Sequence, residues 1–409
     1  MRVRRTDKFD MAIFKRKTAG PDLRDFDTAI RFLLAKYAPD GVPVTEGDND
    51  SLFVGDRRTN LGNLRQRWSE LDQIDRFPWL EASIADVSAQ TDRADELDLS
   101  RLRPGVRSRA FLEIAPLMAV IQQGHFDDSY KIPSRPLAGD LEWVLIWDTP
   151  QTMSAVNNGQ LEGWGKDFDT LFEVARSNFA VEPIQEWGVM DKRVFMPASA
   201  DDYLGSQVFL PGGLDALPFS EERVVFHPTR TSVVIASASD PDGIAMAAGM
   251  TRELAGSAGP ASLSPVVGRD GNWRALELPS SHPAFNECRM LKLIDDLNSY
   301  GSQQDLLREI HGEDIFVATF KAAERDGASP ISYCSWTKGA DSLLPKTDVV
   351  AFVDLEAETQ VMVKWEDAAA ICGHLLEPTH HYPERWRVAA FPSAEEFARL
   401  QTTKFDLGS

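Results

Sequence analysis

Cysteine is scarce in this chain. Three residues, Cys288, Cys334 and Cys372, are spread over 409 positions, and their odd number and wide spacing exclude a disulfide framework and a paired zinc or redox motif. A reducing cytoplasmic setting is the expectation. Long apolar runs are missing too: nothing approaches the roughly 18 residues that a membrane helix needs, and no apolar segment follows the N-terminal arginines as in a signal peptide. A soluble, unexported protein is therefore expected. Glycine-rich cofactor fingerprints are absent. Gly212-Gly213 follows Leu210-Pro211 without the lysine and hydroxyl of a phosphate loop, so it reads as a turn, and no cofactor is expected. Positive charge is also in deficit. With 63 acidic against 43 basic side chains, the formal charge is −20, a field that repels phosphate backbones, so neither nucleic acid nor a membrane is expected as a partner. The same acidity serves either solubility or a surface that meets a basic protein.

The composition itself is that of a globular protein, 43% hydrophobic and 26% charged. At this length a single core usually stops growing, which predicts two domains or one large body with an appendage. Arg2, Arg4, Arg5, Lys8, Lys15, Arg16 and Lys17 make residues 1–20 a basic flexible tail, and Met11 opens a segment that reads as a translation start in its own right. The stretch Gly256 to Pro265, rich in Gly, Ala, Ser and Pro, is the expected boundary. It separates an α+β domain at 21–260 from a C-terminal α+β domain at 261–409. The fold class expected is α+β, two α/β parts each with a mixed, mostly antiparallel sheet flanked by helices.

Local pattern supports this division into elements. Phe26, Ala29, Ile30, Leu33 and Tyr37 fall on one helical stripe after Pro21. A hairpin follows across Gly47-Asp-Asn-Asp, where Asp48 and Asp50 lack the remaining ligands of a calcium loop and read as a plain turn. Two helices follow, broken from each other at Pro78. Gly124 to Asp140 reads as a long loop. Leu141 to Trp147 is apolar except at Glu142, the pattern of a central strand covered on both faces. A helix after Asp167, strands flanking Pro228, helices over 284–311 and a final helix opened by Ser393 and Glu396 in capping-box spacing complete the outline.

Several short motifs lie in this order: Arg107-Ser108 before the strand ending in Asp148, Trp164 ahead of a helix that carries Asn178, Tyr203 with Ser206, and Val225, Pro228 and Arg230 in a Val-x-x-Pro-x-Arg arrangement. Together they resemble the YtpQ-like family, a bacterial family of unknown function, over about residues 21–260. Family members usually carry an Asp directly after the tyrosine, an Arg three residues further on and an Asp after the later arginine. Leu204, Gln207 and Thr231 stand there instead, and none can act as acid, base or strong anion ligand at neutral pH. The resemblance therefore implies that any activity resting on those positions is altered or lost in this chain.

Candidate chemistry is sparse. His227 with Arg230 and Asp202 could form a hydrolase-like site, since a neighbouring arginine lowers the proton affinity of an imidazole, and the alternative is a histidine satisfied at a strand end. Cys372, His374, His380 and His381 supply metal-ligand types within ten residues, but without paired spacing they read as a surface loop. Trp164, Trp187 and Trp386 are the candidate binding surface, against a packing role like that expected of Trp143, Trp147 and Trp336. The function expected is a protein-binding or scaffolding module without catalysis. The alternatives are the hydrolase-like site and regulatory small-ligand binding between the two parts.

Overall fold

The computed structural model describes residues 23–38, 41–47, 51–54, 57–92, 97–149, 153–179, 184–198, 203–219, 221–229, 231–255, 262–325 and 328–406. The basic tail, Asp48, Asp50, Asp202 and Arg230 lie outside them. The chain divides into two compact units, one of residues 1–94 with 150–152 and the other of 95–149 with 153–409.

In the smaller unit the first helix, Phe26–Tyr37, is capped by Asp25, whose carboxylate accepts the Thr28 N–H at 2.9 Å. Its stripe of Phe26, Ala29, Ile30 and Leu33 packs with Leu52, Leu61, Trp68, Leu80 and Ile84. The hairpin Val44–Gly47 with Ser51–Val54 gains a third antiparallel strand, Arg57–Asn60. The helix break expected at Pro78 falls earlier, between Gly62–Glu70 and Gln73–Asp92, and Pro78 lies inside the second helix. The missing N–H deprives only the Ile74 carbonyl, and Ile74 is 82% exposed, so water can serve that group.

The larger unit is an α+β body with several sheets flanked by helices. In its first sheet, Leu141–Asp148 is central, paired antiparallel with Leu102–Ser108 and Ser134–Ala138, and Met153–Ala155 joins its end. The central strand is buried from Leu141 to Trp147, as a strand covered on both faces must be. A six-stranded antiparallel sheet runs in the order Asn272–Ala275, Ser262–Arg269, Arg223–Thr229, Ser232–Ser237, Val194–Pro197, Trp187–Met190. Pro228 is part of Arg223–Thr229 and sits where the register slips between Phe226 and Thr229, the kind of position where a strand tolerates proline. Side chains alternate across this sheet. Val225, Val233, Ile235 and Val266 face the core shared with the first sheet, while Val224, Phe226, Val234 and Ala236 face the helix Pro241–Leu254.

The 27-residue helix Phe285–His311 connects the rest. Leu291 enters the core beneath the six-stranded sheet, Leu293 and Tyr300 pack with Phe320, and Leu307 packs with Val317 and Leu343. Two four-stranded sheets follow. One orders Lys321–Arg325, Ala328–Thr337, Val349–Asp354 and Thr359–Lys364, and the other Phe316–Val317, Ser342–Pro345, Arg385–Val388 and Glu377–Pro378. Each holds one parallel pair, so both are mixed. The helices Trp365–Cys372 and Ala394–Thr402 close the last core over Trp336 and Phe352, and Ser393 with Glu396 forms the expected reciprocal cap.

The division expected at 256–265 is not where the chain separates. Ser262–Arg269 pairs with Arg223–Thr229, so one sheet takes strands from both sides of that stretch, and the compact units part between Ala94 and Asp95. A stretch rich in Gly, Ala, Ser and Pro marks a connection, and what it connects is decided by pairing.

Candidate functional site

His227 projects from the strand Arg223–Thr229 and is 2% exposed. Its ring lies against the helix Leu204–Phe209: the ring centroid is 6.1 Å from that of Phe209, and a Cβ on Gly205 would stand 2.5 Å from both Cε1 and Nε2. Only a residue without a side chain leaves space for the imidazole there. Asp202 and Arg230 are outside the described residues. The Gly205→Ala variant should be destabilised by about 1–3 kcal/mol, because a buried ring on a strand cannot move aside as a flexible side-chain tip could. A melting temperature equal to that of the wild type would show that the ring has room.

Residues that carry the family resemblance meet around one strand. The Asn178 amide donates to the carbonyls of Leu99, at 2.5 Å, and Leu102, at 3.2 Å. The Ser206 hydroxyl donates to the Pro104 carbonyl at 2.7 Å, and Tyr203 packs on Phe179 with centroids 5.7 Å apart. Leu204, one of the departures, is 2% exposed in the same core, where an acid would have to be desolvated. These side chains fasten two helices to the strand Leu102–Ser108.

The four metal candidates do not share a site. Cys372 is fully buried in the last core, and burial, then Glu396, pushes its thiol up to about 11, far from the thiolate a metal prefers. His374 is exposed, with Nε2 3.4 Å from a Glu396 carboxylate oxygen. His380 is exposed, while half-buried His381 is held down to about 4 by burial first and by Arg385 next. Among the described residues, no group of three or more His, Cys, Asp or Glu side chains could hold a metal ion.

The tryptophans separate into two cores. Trp164 packs on Trp147 with centroids 5.2 Å apart, and Trp187 donates its indole N–H to the Ile184 carbonyl at 2.7 Å, both against the core of the first sheet. Trp386 instead faces Trp365 at 6.3 Å in the last core, where the Lys346 ammonium lies 5.0 Å and 6.0 Å from the two ring centroids. One aromatic groove made from all three is not what the fold builds.

Two buried polar junctions went unread in the sequence. Arg385, 1% exposed, gives its guanidinium to Gln303 and to the carbonyls of Ala318, Leu343 and Tyr300. Asp295, 6% exposed in the long helix, accepts from Ser262, Leu263 and Ser264 at the start of a strand. The one local hint was that Asp295 falls four residues after Leu291, on the buried stripe of its helix.

The surface offers a different feature. Trp187–Met190 is the last strand of the six-stranded sheet among the described residues, and it turns back into Val194–Pro197 through Asp191 and Lys192, both with positive φ, 49° and 60°. Val189 is 52% and Met190 47% exposed. A shallow depression of 270 Å³ lies between the helix Phe168–Asn178 and Leu210-Pro211, lined by Glu173, Arg176 and Ser177, none of which is placed as a nucleophile beside a base. No family model, curated protein or solved structure matches this chain, so no relative supplies a role for these residues.

Proposed function

We propose that this protein is a YtpQ-like, cytoplasmic protein-recognition module that holds a basic partner without doing chemistry on it. The observation that carries this reading is the strand Trp187–Met190, which presents two large apolar side chains and, among the described residues, ends its sheet with no further strand paired to it. Such an edge accepts an extended segment of another chain as an added strand. The charge of −20 selects the partner's sign. No helix among the described residues is long and apolar enough to cross a membrane. The hydrolase-like alternative at His227 has no accessible imidazole to support it.

The test compares the full-length wild type with the double variant Val189→Lys, Met190→Lys as bait in extract of the native host. Lysines blunt an edge strand and repel a basic segment, so capture should fall roughly tenfold or more while the melting temperature stays the same. Added salt should weaken capture by the wild type. If the wild type retains nothing above background, or the double variant retains everything the wild type does, the reading is wrong.

A further inference from the structure

Three elements of the larger unit meet at one hydroxyl. Ser262 opens the strand Ser262–Arg269, Asp140 sits at the tip of the hairpin before the central strand, and Asp295 lies in the helix Phe285–His311. Ser262 Oγ is 2.9 Å from Asp140 Oδ1 and 3.1 Å from Asp295 Oδ2. The Ser264 N–H donates to the same hydroxyl at 3.2 Å. A serine hydroxyl has one proton to give and two lone pairs to fill. With both carboxyls ionised, Ser262 can donate to only one of them, and a bare oxygen faces a bare oxygen on the other side. One added proton completes the set: Asp295 O–H donates to Ser262 Oγ, and the Ser262 hydroxyl donates to Asp140. The second lone pair of Ser262 then takes the Ser264 N–H, and Asp295 Oδ2 keeps the Leu263 N–H at 3.2 Å, with the Ser264 hydroxyl at a longer 3.4 Å.

We propose that Asp295, Ser262 and Asp140 form a proton-dependent clasp: one proton passed through Ser262 fastens the hairpin tip and the long helix to the start of the strand, and its loss loosens that end. The clasp is a conformational device, and it stands apart from the recognition surface.

The surroundings favour the protonated form. Burial, then the Asp140 carboxylate, push Asp295 up to about 7, with Lys292 pulling the other way. Asp296, next in the helix, is also raised by burial and is contacted by Lys292. From the remaining side comes Tyr382, raised by burial, with the Arg109 guanidinium 4.3 Å from its ring centroid. The helix Ile114–Gln123, packed on the same long helix, brings no ionisable side chain. An acid whose folded pKa lies above its unfolded value, about 3.9, stabilises fully below that value and loses the contribution as pH rises through the folded pKa. The window here runs from about pH 4 to about pH 7.

The experiment is urea unfolding of the full chain, wild type against Asp295→Asn, from about pH 5 to about pH 8, with the carboxyl carbon of Asp295 followed by NMR in the wild type. The advantage of the wild type over the variant should shrink about tenfold in unfolding constant per pH unit up to about pH 7 and then level off. The carboxyl should titrate near neutrality, and hydrogen exchange at Leu263 should rise above its intrinsic pH dependence as it does so. A ratio independent of pH overturns the proposal. Should the variant fail to fold, the NMR titration decides alone, and a midpoint below about 5 overturns the clasp.

Discussion

Arg385→Met should lower the stability of the larger unit by about 3–5 kcal/mol, the largest loss expected from any single change described above. The guanidinium is almost wholly out of water, and burial draws it down to about 10. Its hydrogen bonds go to neutral acceptors: Gln303 Oε1, the carbonyls of Ala318 at 2.9 Å and Leu343 at 3.2 Å, and the Tyr300 carbonyl at 3.3 Å. Methionine would remove the cost of a desolvated charge. It would also strand Gln303 Oε1 and the Ala318 carbonyl, each worth about 1–3 kcal/mol when orphaned. It would take one of two donors from the Leu343 carbonyl, which keeps the Ala318 N–H at 3.0 Å, and from the Tyr300 carbonyl inside the helix, and the combined loss is the larger. The damage would spread, because Gln303 also donates to the Pro383 carbonyl, while the Tyr300 hydroxyl donates to the Glu384 backbone carbonyl and accepts the Lys346 N–H. Arg385→Lys should recover less than half of the loss, since one ammonium cannot span sites arranged for a planar fork. The urea midpoint followed by tryptophan fluorescence measures both variants, and an unshifted midpoint would remove Arg385 as the tie between the long helix and its strands.

Trp336→Ala should cost about 3–5 kcal/mol in the last core. The indole is 1% exposed, lies 5.0 Å from the Phe352 ring, and donates its N–H to the Ala390 carbonyl at 3.2 Å. Truncation loses buried apolar area, opens a cavity between two sheets' worth of packed side chains and orphans a carbonyl. Trp336→Phe should retain more than half of the stability, because it keeps most of the filling and loses chiefly the hydrogen bond. Thermal melting distinguishes the two, and equal losses would mean that the hydrogen bond, and not the volume, dominates.

What could be read from the sequence was whatever a single segment decides for itself. The first helix announced its stripe and the last its capping box, and the run at Leu141 to Trp147, apolar at every position but Glu142, could only be a strand covered on both faces. What escaped was decided between segments. Ser134–Ala138 looks like loop because Arg135 and Pro136 interrupt its alternation, yet it pairs because the central strand has a second edge to fill. Arg57–Asn60 is polar throughout and is a strand only by virtue of its neighbour Ser51–Val54. His227 was singled out by residue type, and its fate was set by Gly205, whose missing side chain lets the ring close against a helix. Asp295 gave little sign in its own helix because the carboxylate and hydroxyl that define it come from a hairpin tip and a strand start. The three tryptophans show the same limit, since being aromatic does not say which of two cores a side chain will join.

The helix Phe285–His311 touches both the layer beneath the six-stranded sheet and the mixed sheets beyond it. At about 1.5 Å per residue it is a strut of roughly 40 Å owned by both ends. Neither half can be lifted out as a transplantable piece, because whichever one keeps the strut leaves the other with an open wound along its length.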